Sequence, residues 1–232
     1  MLQPIAHILG KQNNVLASTS PRRHSLLESI GLKFKVIDSG FNEQLIRDKF
    51  SHPCEYVKEN AKQKAIHAHK KLLATGDRAD LIIGADTVVT FQDQIFEKPK
   101  DEEDALNILT KLSGNWHTVF TGVALITYPS SSQATGGDSN QDQNSARMDG
   151  DGSGDDFMVT TFHEATEVYI CQMTKNIIKS YIETGEPMDK AGAYGIQGIG
   201  ATLVESIKGD YFNVVGLPLH RLTKELYHLY SE

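Results

Sequence analysis

The chain has 232 residues, of which 39% are hydrophobic and 23% are charged, and its formal net charge is −7. These totals are typical of a globular protein and exclude a largely disordered chain or a fibrous repeat. The acidic balance argues against nucleic acid as a partner, no apolar run is long enough to cross a membrane, and the first residues lack a signal-peptide pattern. Two cysteines without metal-ligand spacing fit a reducing compartment, so we expect a soluble cytoplasmic protein.

The N-terminal third predicts a strand and a helix, followed by a second strand and a longer helix. Residues 14–17 form a short apolar run that is typical of a buried strand. A Ser-Pro pair then predicts the start of a helix over 21–30, and residues 33–37 alternate like a strand. A second helix is expected over 53–75, because its apolar residues recur on one face until a glycine follows.

The central part predicts a buried strand, a hairpin and a helix. Residues 80–84 are a continuous apolar run, so we expect a central strand that ends just before Asp86. Residues 88–91 and 95–96 flank polar turn residues and predict a hairpin. An aspartate predicts the N-terminal cap of a helix over 102–112.

The C-terminal half predicts two long neighbouring strands at 117–128 and 157–171, which are rich in threonine, valine and aromatic residues. The segment 129–156 between them has almost no apolar residues and is predicted to be a disordered insertion. Further elements are expected at 174–184 (helix), 202–207 (strand) and 219–230 (helix). The mixture of helices and strands predicts a mixed α/β (α+β) fold, in one domain over 1–232.

The segment around the first predicted helix suggests an anion-binding site. Ser18 and Ser20 precede the helix, and Arg22 and Arg23 lie in its first turn. Unpaired backbone N–H groups and the helix dipole attract anions there, and two adjacent arginines would repel one another without a negative partner. These features favour a compact anionic ligand. The alternative, in which Ser20 only caps the helix and both arginines point to solvent, stays open at this stage.

Asp86 is the candidate for chemistry, because a carboxylate at the end of a buried strand lies where open α/β sheets present their ligands. It could hold a divalent ion or take a proton from water, and the alternative is that it only caps a turn. Glu43, Lys64 and Lys98 are further charged candidates in other predicted elements.

A glycine-rich segment, EPMDKAGAYGIQG, is the last candidate. Its glycines predict unusual backbone conformations or close approach to a ligand, and Asp189 and Lys190 add opposite charges. The segment fits neither GxGxxG nor GxxxxGK[ST], so two common nucleotide-binding arrangements are disfavoured.

Taken in order, SxSPRR, GADT, EKP, LSG, FTGV, EPMDKAGAYGIQG and GDYFNVVGLPL resemble the Maf family of nucleoside triphosphate pyrophosphatases. The resemblance covers nearly the whole chain apart from the insertion, and it includes the Maf-like part of acetylserotonin O-methyltransferase-like proteins. It implies a bent mixed sheet flanked by helices, with two lobes around a cleft as in the related ITP-hydrolysing fold. It also suggests a homodimer, since many relatives form one.

The resemblance implies hydrolysis of dTTP and UTP, and of modified pyrimidine nucleotides, to the monophosphate and pyrophosphate with Mg²⁺ or Mn²⁺. Asp86 matches the proposed proton acceptor, or ligates the metal together with Glu43. The catalytic residues by this resemblance are Asp86, Lys64, Lys98 and Glu43. The expected substrate-binding residues are Ser18, Ser20, Arg22, Arg23, Thr87, Asp189, Lys190 and Gln197, of which Arg22, Thr87 and Gln197 match positions linked to base preference.

Two other functions remain open at this stage. One is a non-catalytic nucleotide-binding regulator of cell division, and the other is a house-cleaning pyrophosphatase for ITP or XTP. The chain also departs from many relatives at Asn42, where a second acidic residue would precede Glu43. That departure removes a potential metal ligand and leaves the number of bound metal ions open.

Overall fold

The computed structural model describes residues 2–42, 45–128, 145–148 and 156–231. The helices in these ranges are α1 (Ala6–Leu9), α2 (Pro21–Ser29), α3 (Pro53–Ala74), α4 (Glu102–Leu112), α5 (Lys175–Glu183), α6 (Tyr211–Val215) and α7 (Leu219–Tyr230). The strands are β1 (Asn14–Leu16), β2 (Lys35–Val36), β3 (Leu81–Phe91), β4 (Gln94–Phe96), β5 (Trp116–Thr127), β6 (Ser145–Met148), β7 (Phe157–Ile170) and β8 (Val204–Lys208). No helix within these ranges has the length and apolar character needed to cross a bilayer.

The strands of the described residues form one mixed sheet in the order β2-β1-β3-β5-β7-β6, with β4 paired to β3 and β8 paired to β7. Strand β1 runs parallel to β2 and β3, whereas the other pairs are antiparallel. Helix α3 packs on one face of the sheet, and α7 contributes to the apolar cluster on the other. The expected mixed α/β class and a mixed sheet flanked by helices are therefore confirmed.

Most predicted elements are present. Helix α4 begins after Asp101, whose carboxylate accepts a hydrogen bond from the backbone N–H of Asp104 at 2.8 Å. Asp101 is therefore the N-terminal cap that the sequence predicted. The two long strands are neighbours, since β5 pairs with β7 from Trp116 opposite Tyr169 to Thr127 opposite Met158. Helices α1 and α6 were not predicted, because each is too short to show a helical repeat.

The insertion predicted to be disordered contains a strand. Residues Ser145–Met148 form β6, which pairs antiparallel with β7 and places Met148 against the apolar cluster that includes Phe157 and Val159. This strand was not predicted, and the open edge of β7 provides the backbone groups with which it pairs. The disorder of the insertion stays a prediction. Apart from this strand and Asp156, the insertion lies outside the described residues.

The position of α3 depends on two glycines in the sheet. A Cβ atom on Gly84 in β3 would lie 2.2 Å from the backbone oxygen of Ala61, and one on Gly122 in β5 would lie 2.4 Å from the carbonyl carbon of Val57. No other residue fits at that separation, so the helix lies directly on the strands. This close approach brings polar side chains of α3 to the middle of β3.

Strand β3 does not end before Asp86, as the sequence analysis expected. It continues to Phe91, because β5 pairs with it all the way from Leu81 to Thr90. On its other edge, β1 pairs only as far as Ile83, and β4 begins at Val89. Asp86 therefore lies in a gap between two partner strands rather than at the end of a strand.

Candidate active site

A cavity of about 560 Å³ lies at this gap in the sheet. Asp86 and Thr87 both line it, although adjacent residues of a strand point to opposite faces of the sheet. The cavity therefore reaches around the open edge of β3 to both faces. The start of α2, the segment before Pro218 and the glycine-rich segment complete its walls.

On the face covered by α3, Asp86 is held by two side chains of that helix. The Lys64 ammonium lies 2.7 Å from Oδ1 of Asp86, and the amide of Asn60 donates to Oδ2 at 3.1 Å. Residues four apart on a helix share one face, which explains why both reach the same carboxylate. All three side chains are buried, so this is a buried ion pair with an added neutral donor.

On the opposite face, Arg23 is fixed by three hydrogen bonds. Its Nε donates to the carbonyl of Gly216 at 2.8 Å, its Nη1 to Oγ of Ser18 at 3.1 Å, and its Nη2 to Oγ1 of Thr87 at 2.9 Å. These bonds orient a positive charge beside the cavity. Arg23 thus adds positive potential to the site and holds Ser18 and Thr87 in place.

Arg22 reaches across the cavity mouth to the glycine-rich segment. Its Nη1 lies 2.9 Å from Oδ2 of Asp189, and Lys190 lies 2.7 Å from Oδ1 of the same carboxylate. Burial alone would raise the pKa of Asp189, but the hydrogen bonds from Lys190 and Arg22 hold it below its ordinary value. The alternative in which both arginines only point to solvent is wrong. Ser20 occupies the N-cap position of α2, but its hydroxyl makes no capping hydrogen bond.

Glu186 fixes the glycine-rich segment from within, and the sequence analysis missed it. Its carboxylate accepts hydrogen bonds from the Tyr181 hydroxyl at 2.9 Å and from the backbone N–H groups of Ile199 and Gly200 at 3.0 and 2.9 Å. Burial would raise its pKa, yet these bonds lower it below the ordinary value. Gly192 has a positive φ of 70°, and a Cβ there would lie 2.6 Å from Val89, so this segment packs closely on β3.

Glu97 also lines the cavity, and the sequence analysis did not select it. It forms an ion pair with Arg47, and the Tyr56 hydroxyl donates to its Oε1 at 2.6 Å. Burial and the hydrogen bond to Glu97 raise the pKa of Tyr56, so the phenol stays a donor. In the sequence, Glu97 belongs to the EKP motif, from which only Lys98 was selected as a candidate site residue.

The structure brings the predicted site residues of the described chain together. The following line one cavity: Ser18, Ser20, Arg22, Arg23, Lys64, Asp86, Thr87, Lys98, Asp189, Lys190 and Gln197. Glu43 lies outside the described residues. The roles assigned to these side chains stay predictions, because a shared cavity gives their position and not their chemistry.

The residues present fit a divalent metal that is shared with a ligand. Within the described ranges, no group of three or more His, Cys, Asp or Glu side chains could hold a metal ion alone. Mg²⁺, however, is usually held by one or two carboxylates together with substrate phosphates and water. Each oxygen of Asp86 uses one acceptor site for Lys64 or Asn60 and keeps another, so this carboxylate can serve as such a ligand.

The fold and the cavity together define an α/β protein in which a buried carboxylate and several cations surround a cleft at a break in the sheet. Such a cleft suits a ligand with a polyphosphate group.

The family model described as "Maf-like protein" matches residues 13–229. The chain belongs to the Maf-like family.

Several curated relatives are similar over most of this chain. A Homo sapiens protein named "Probable bifunctional dTTP/UTP pyrophosphatase/methyltransferase protein" is 41% identical over 231 residues, which are 99% of this chain but 34% of the relative. This chain thus spans about a third of that protein. A "dTTP/UTP pyrophosphatase" of Clostridium perfringens is 43% identical and covers 91% of this chain and 94% of its own length. Its counterpart in Aquifex aeolicus is 40% identical, with coverages of 93% and 94%.

Among solved structures, the Staphylococcus aureus Ham1 protein is similar with a TM-score of 0.46 and 14% sequence identity, over 94% of this chain and 99% of that chain.

Proposed function

We propose that this chain hydrolyses dTTP and UTP to the nucleoside monophosphate and pyrophosphate. The observation that supports the proposal is the convergence of Asp86, Arg22, Lys64 and Lys98 on one cavity. This arrangement occurs in a chain that is 40 to 43% identical to bacterial proteins named dTTP/UTP pyrophosphatase. Modified pyrimidine nucleotides with the same base edge are further substrates of this proposal.

The reaction requires water to attack the α-phosphorus. The bond from the water oxygen to this phosphorus forms, the bond to the bridging oxygen breaks, and pyrophosphate leaves. Negative charge on the phosphoryl oxygens is stabilised by fixed cations in such reactions. Lys98 and Arg23 line the cavity and provide these charges, whereas Lys64 is engaged with the carboxylate.

Asp86 accepts the proton of the attacking water in this proposal. Lys64 and Asn60 fix its carboxylate in one orientation, so that a free acceptor site remains on each oxygen. A bound Mg²⁺ or Mn²⁺ would neutralise charge on the phosphates, and Asp86, with Glu43 as the expected second ligand, would hold it. If Asp86 acts mainly as a ligand, its replacement weakens the apparent affinity for the metal.

The test measures pyrophosphate release by the purified chain with dTTP, UTP, CTP, GTP and ITP in the presence of Mg²⁺. We expect dTTP and UTP to be the preferred substrates. Preferential release from ITP would instead favour the house-cleaning alternative, and binding without release would favour the non-catalytic regulator.

The variant Asp86→Asn changes the charge but little volume, so its turnover should fall by about 100-fold or more while nucleotide binding stays measurable by calorimetry. The matched control is Asp93→Asn, since Asp93 lies in the exposed turn between β3 and β4 with a φ of 61°, which asparagine tolerates. Wild-type turnover in Asp86→Asn would contradict the assigned role.

Two further expectations from the sequence analysis belong to this proposal. A homodimer is tested by light scattering during size-exclusion chromatography, and the cytoplasmic location by fractionation of the source cells.

A further inference from the structure

A chain of hydrogen bonds leads from the cavity into the interior of the protein. Arg23 donates to Thr87 at 2.9 Å, and Oγ1 of Thr87 lies 2.9 Å from Oγ1 of Thr121. Thr121 in turn donates to the backbone carbonyl of Asn213 at 2.9 Å. Thr87 is half-buried and lines the cavity, whereas Thr121 and Asn213 are both 0% exposed and do not line it.

The direction of this chain follows from counting hydrogens. A threonine hydroxyl has one hydrogen to donate and two lone pairs that accept. The hydrogen of Thr121 is committed to the carbonyl of Asn213. In the bond between the two threonines, Thr87 must therefore be the donor and Thr121 the acceptor.

Thr87 consequently presents no hydrogen to the cavity. Its hydrogen is used by Thr121, one lone pair accepts from Arg23, and a single lone pair remains for a ligand. A half-buried hydroxyl that can only accept favours a ligand N–H and disfavours an acceptor, because two facing acceptors without a hydrogen repel each other.

We propose that Thr121 is a positioning residue for base selection, because its bond to Asn213 fixes Thr87 as an acceptor for the N3–H group of uracil or thymine. The base edges of these nucleotides carry N3–H between two carbonyl oxygens, whereas N3 of cytosine is an acceptor beside an amino group. Phosphate oxygens also only accept, which directs the base rather than the phosphate tail towards Thr87. This inference rests on the proposed hydrolysis of dTTP and UTP.

The test compares kcat/KM for UTP and CTP in wild type and in Thr121→Val. Valine keeps the shape of threonine but cannot accept the hydrogen of Thr87, which is then free to donate to N3 of cytosine. We expect the UTP:CTP ratio of kcat/KM to fall about tenfold, which corresponds to about 1.4 kcal/mol. Thr121→Ser keeps the hydroxyl and should keep the wild-type ratio.

The matched control is Thr166→Val. Thr166 accepts a hydrogen bond from the side-chain amide of Asn213 at 3.0 Å, but it does not contact Thr87 in the described hydrogen bonds, and it is 1% exposed. This variant should lower the thermal stability and leave the UTP:CTP ratio unchanged. A fall in the ratio as large as in Thr121→Val would indicate general loosening and would overturn the proposal.

An unchanged ratio in folded Thr121→Val would also overturn it. If Thr121→Val does not fold, Thr121→Cys, which has only a weak S–H group, is measured in the same way and must lower the ratio. Failure of this inference differs from failure of the proposed function, since a wild-type chain that releases no pyrophosphate from any nucleotide would refute both.

Discussion

Replacing Lys64 with methionine tests the buried ion pair at the centre of the site. The Lys64 ammonium and the Asp86 carboxylate are 2.7 Å apart, and their side chains are 11% and 9% exposed. Methionine retains most of the apolar stem, so the main loss is the charge partner of a buried carboxylate. Removing one member of such a pair costs about 3 to 5 kcal/mol, and Asn60 still donates to Asp86, so we expect the free energy of unfolding to fall by about 3 kcal/mol.

Urea unfolding followed by circular dichroism measures this difference, and Lys62→Met is its control. Lys62 lies on the same helix, 3.9 Å from Glu59, with both side chains about one third exposed, and such pairs contribute at most about 1 kcal/mol. In Lys64→Met, the further change Asp86→Asn should recover stability, because it removes the unpaired buried charge. Equal losses in Lys64→Met and Lys62→Met, or no recovery, would refute the reasoning.

Three further predictions concern the sheet, the pH dependence and the cavity mouth. Gly84→Ala places a Cβ 2.2 Å from the backbone oxygen of Ala61, so α3 must shift. We expect the free energy of unfolding, measured with urea, to fall by about 1 to 3 kcal/mol and turnover to fall as well. Burial lowers the pKa of His117 from 6.5 to about 4, so the imidazole of the unfolded chain takes up a proton at a higher pH than that of the folded chain. The free energy of unfolding should therefore fall by roughly 3 kcal/mol as the pH drops from 6.5 to 4. The variant His117→Gln should lack this pH dependence. Asp189→Asn removes the carboxylate that holds Arg22 at the cavity mouth and that is expected to bind substrate, so the KM for UTP should rise while stability changes by less than about 1 kcal/mol. A lowered KM would show that this carboxylate mainly offsets the charge of Arg22.

Local sequence signals predicted several elements whose structural cause is itself local. Asp101 precedes α4 and caps it, and the alternating residues of β5 and β7 are sufficient to mark long strands. The predicted end of β3 was wrong, because the apolar run in the sequence stops at Gly84 while the pairing of β3 with β5 continues beyond it. Strand β6 was missed because its order depends on the edge of β7, which no local pattern reveals.

The composition of the site was easier to predict than its contacts. Motifs along the chain selected Arg22 and Asp189, but their ion pair joins residues 167 positions apart, and nothing in either motif indicates the other. Asn60 and Glu186 were missed because a helical asparagine and a loop glutamate look like solvated residues in the sequence. The burial of Asn60 and the hydrogen-bond partners of both residues arise only from the packing of α3 and of the glycine-rich segment.

The location of the site follows from where β1 stops. The N–H of Ala17 donates to the carbonyl of Ile83 at 2.8 Å, and this is the last hydrogen bond between the β1 segment and β3 in the described residues. The chain cannot continue pairing far beyond this point, because Pro21 lacks an N–H and begins α2. The edge of β3 is left open at two neighbouring polar residues, Asp86 and Thr87, one on each face. The segment that ends the strand also places Arg22 and Arg23 beside the opening, so one short sequence creates both the gap and part of its positive charge.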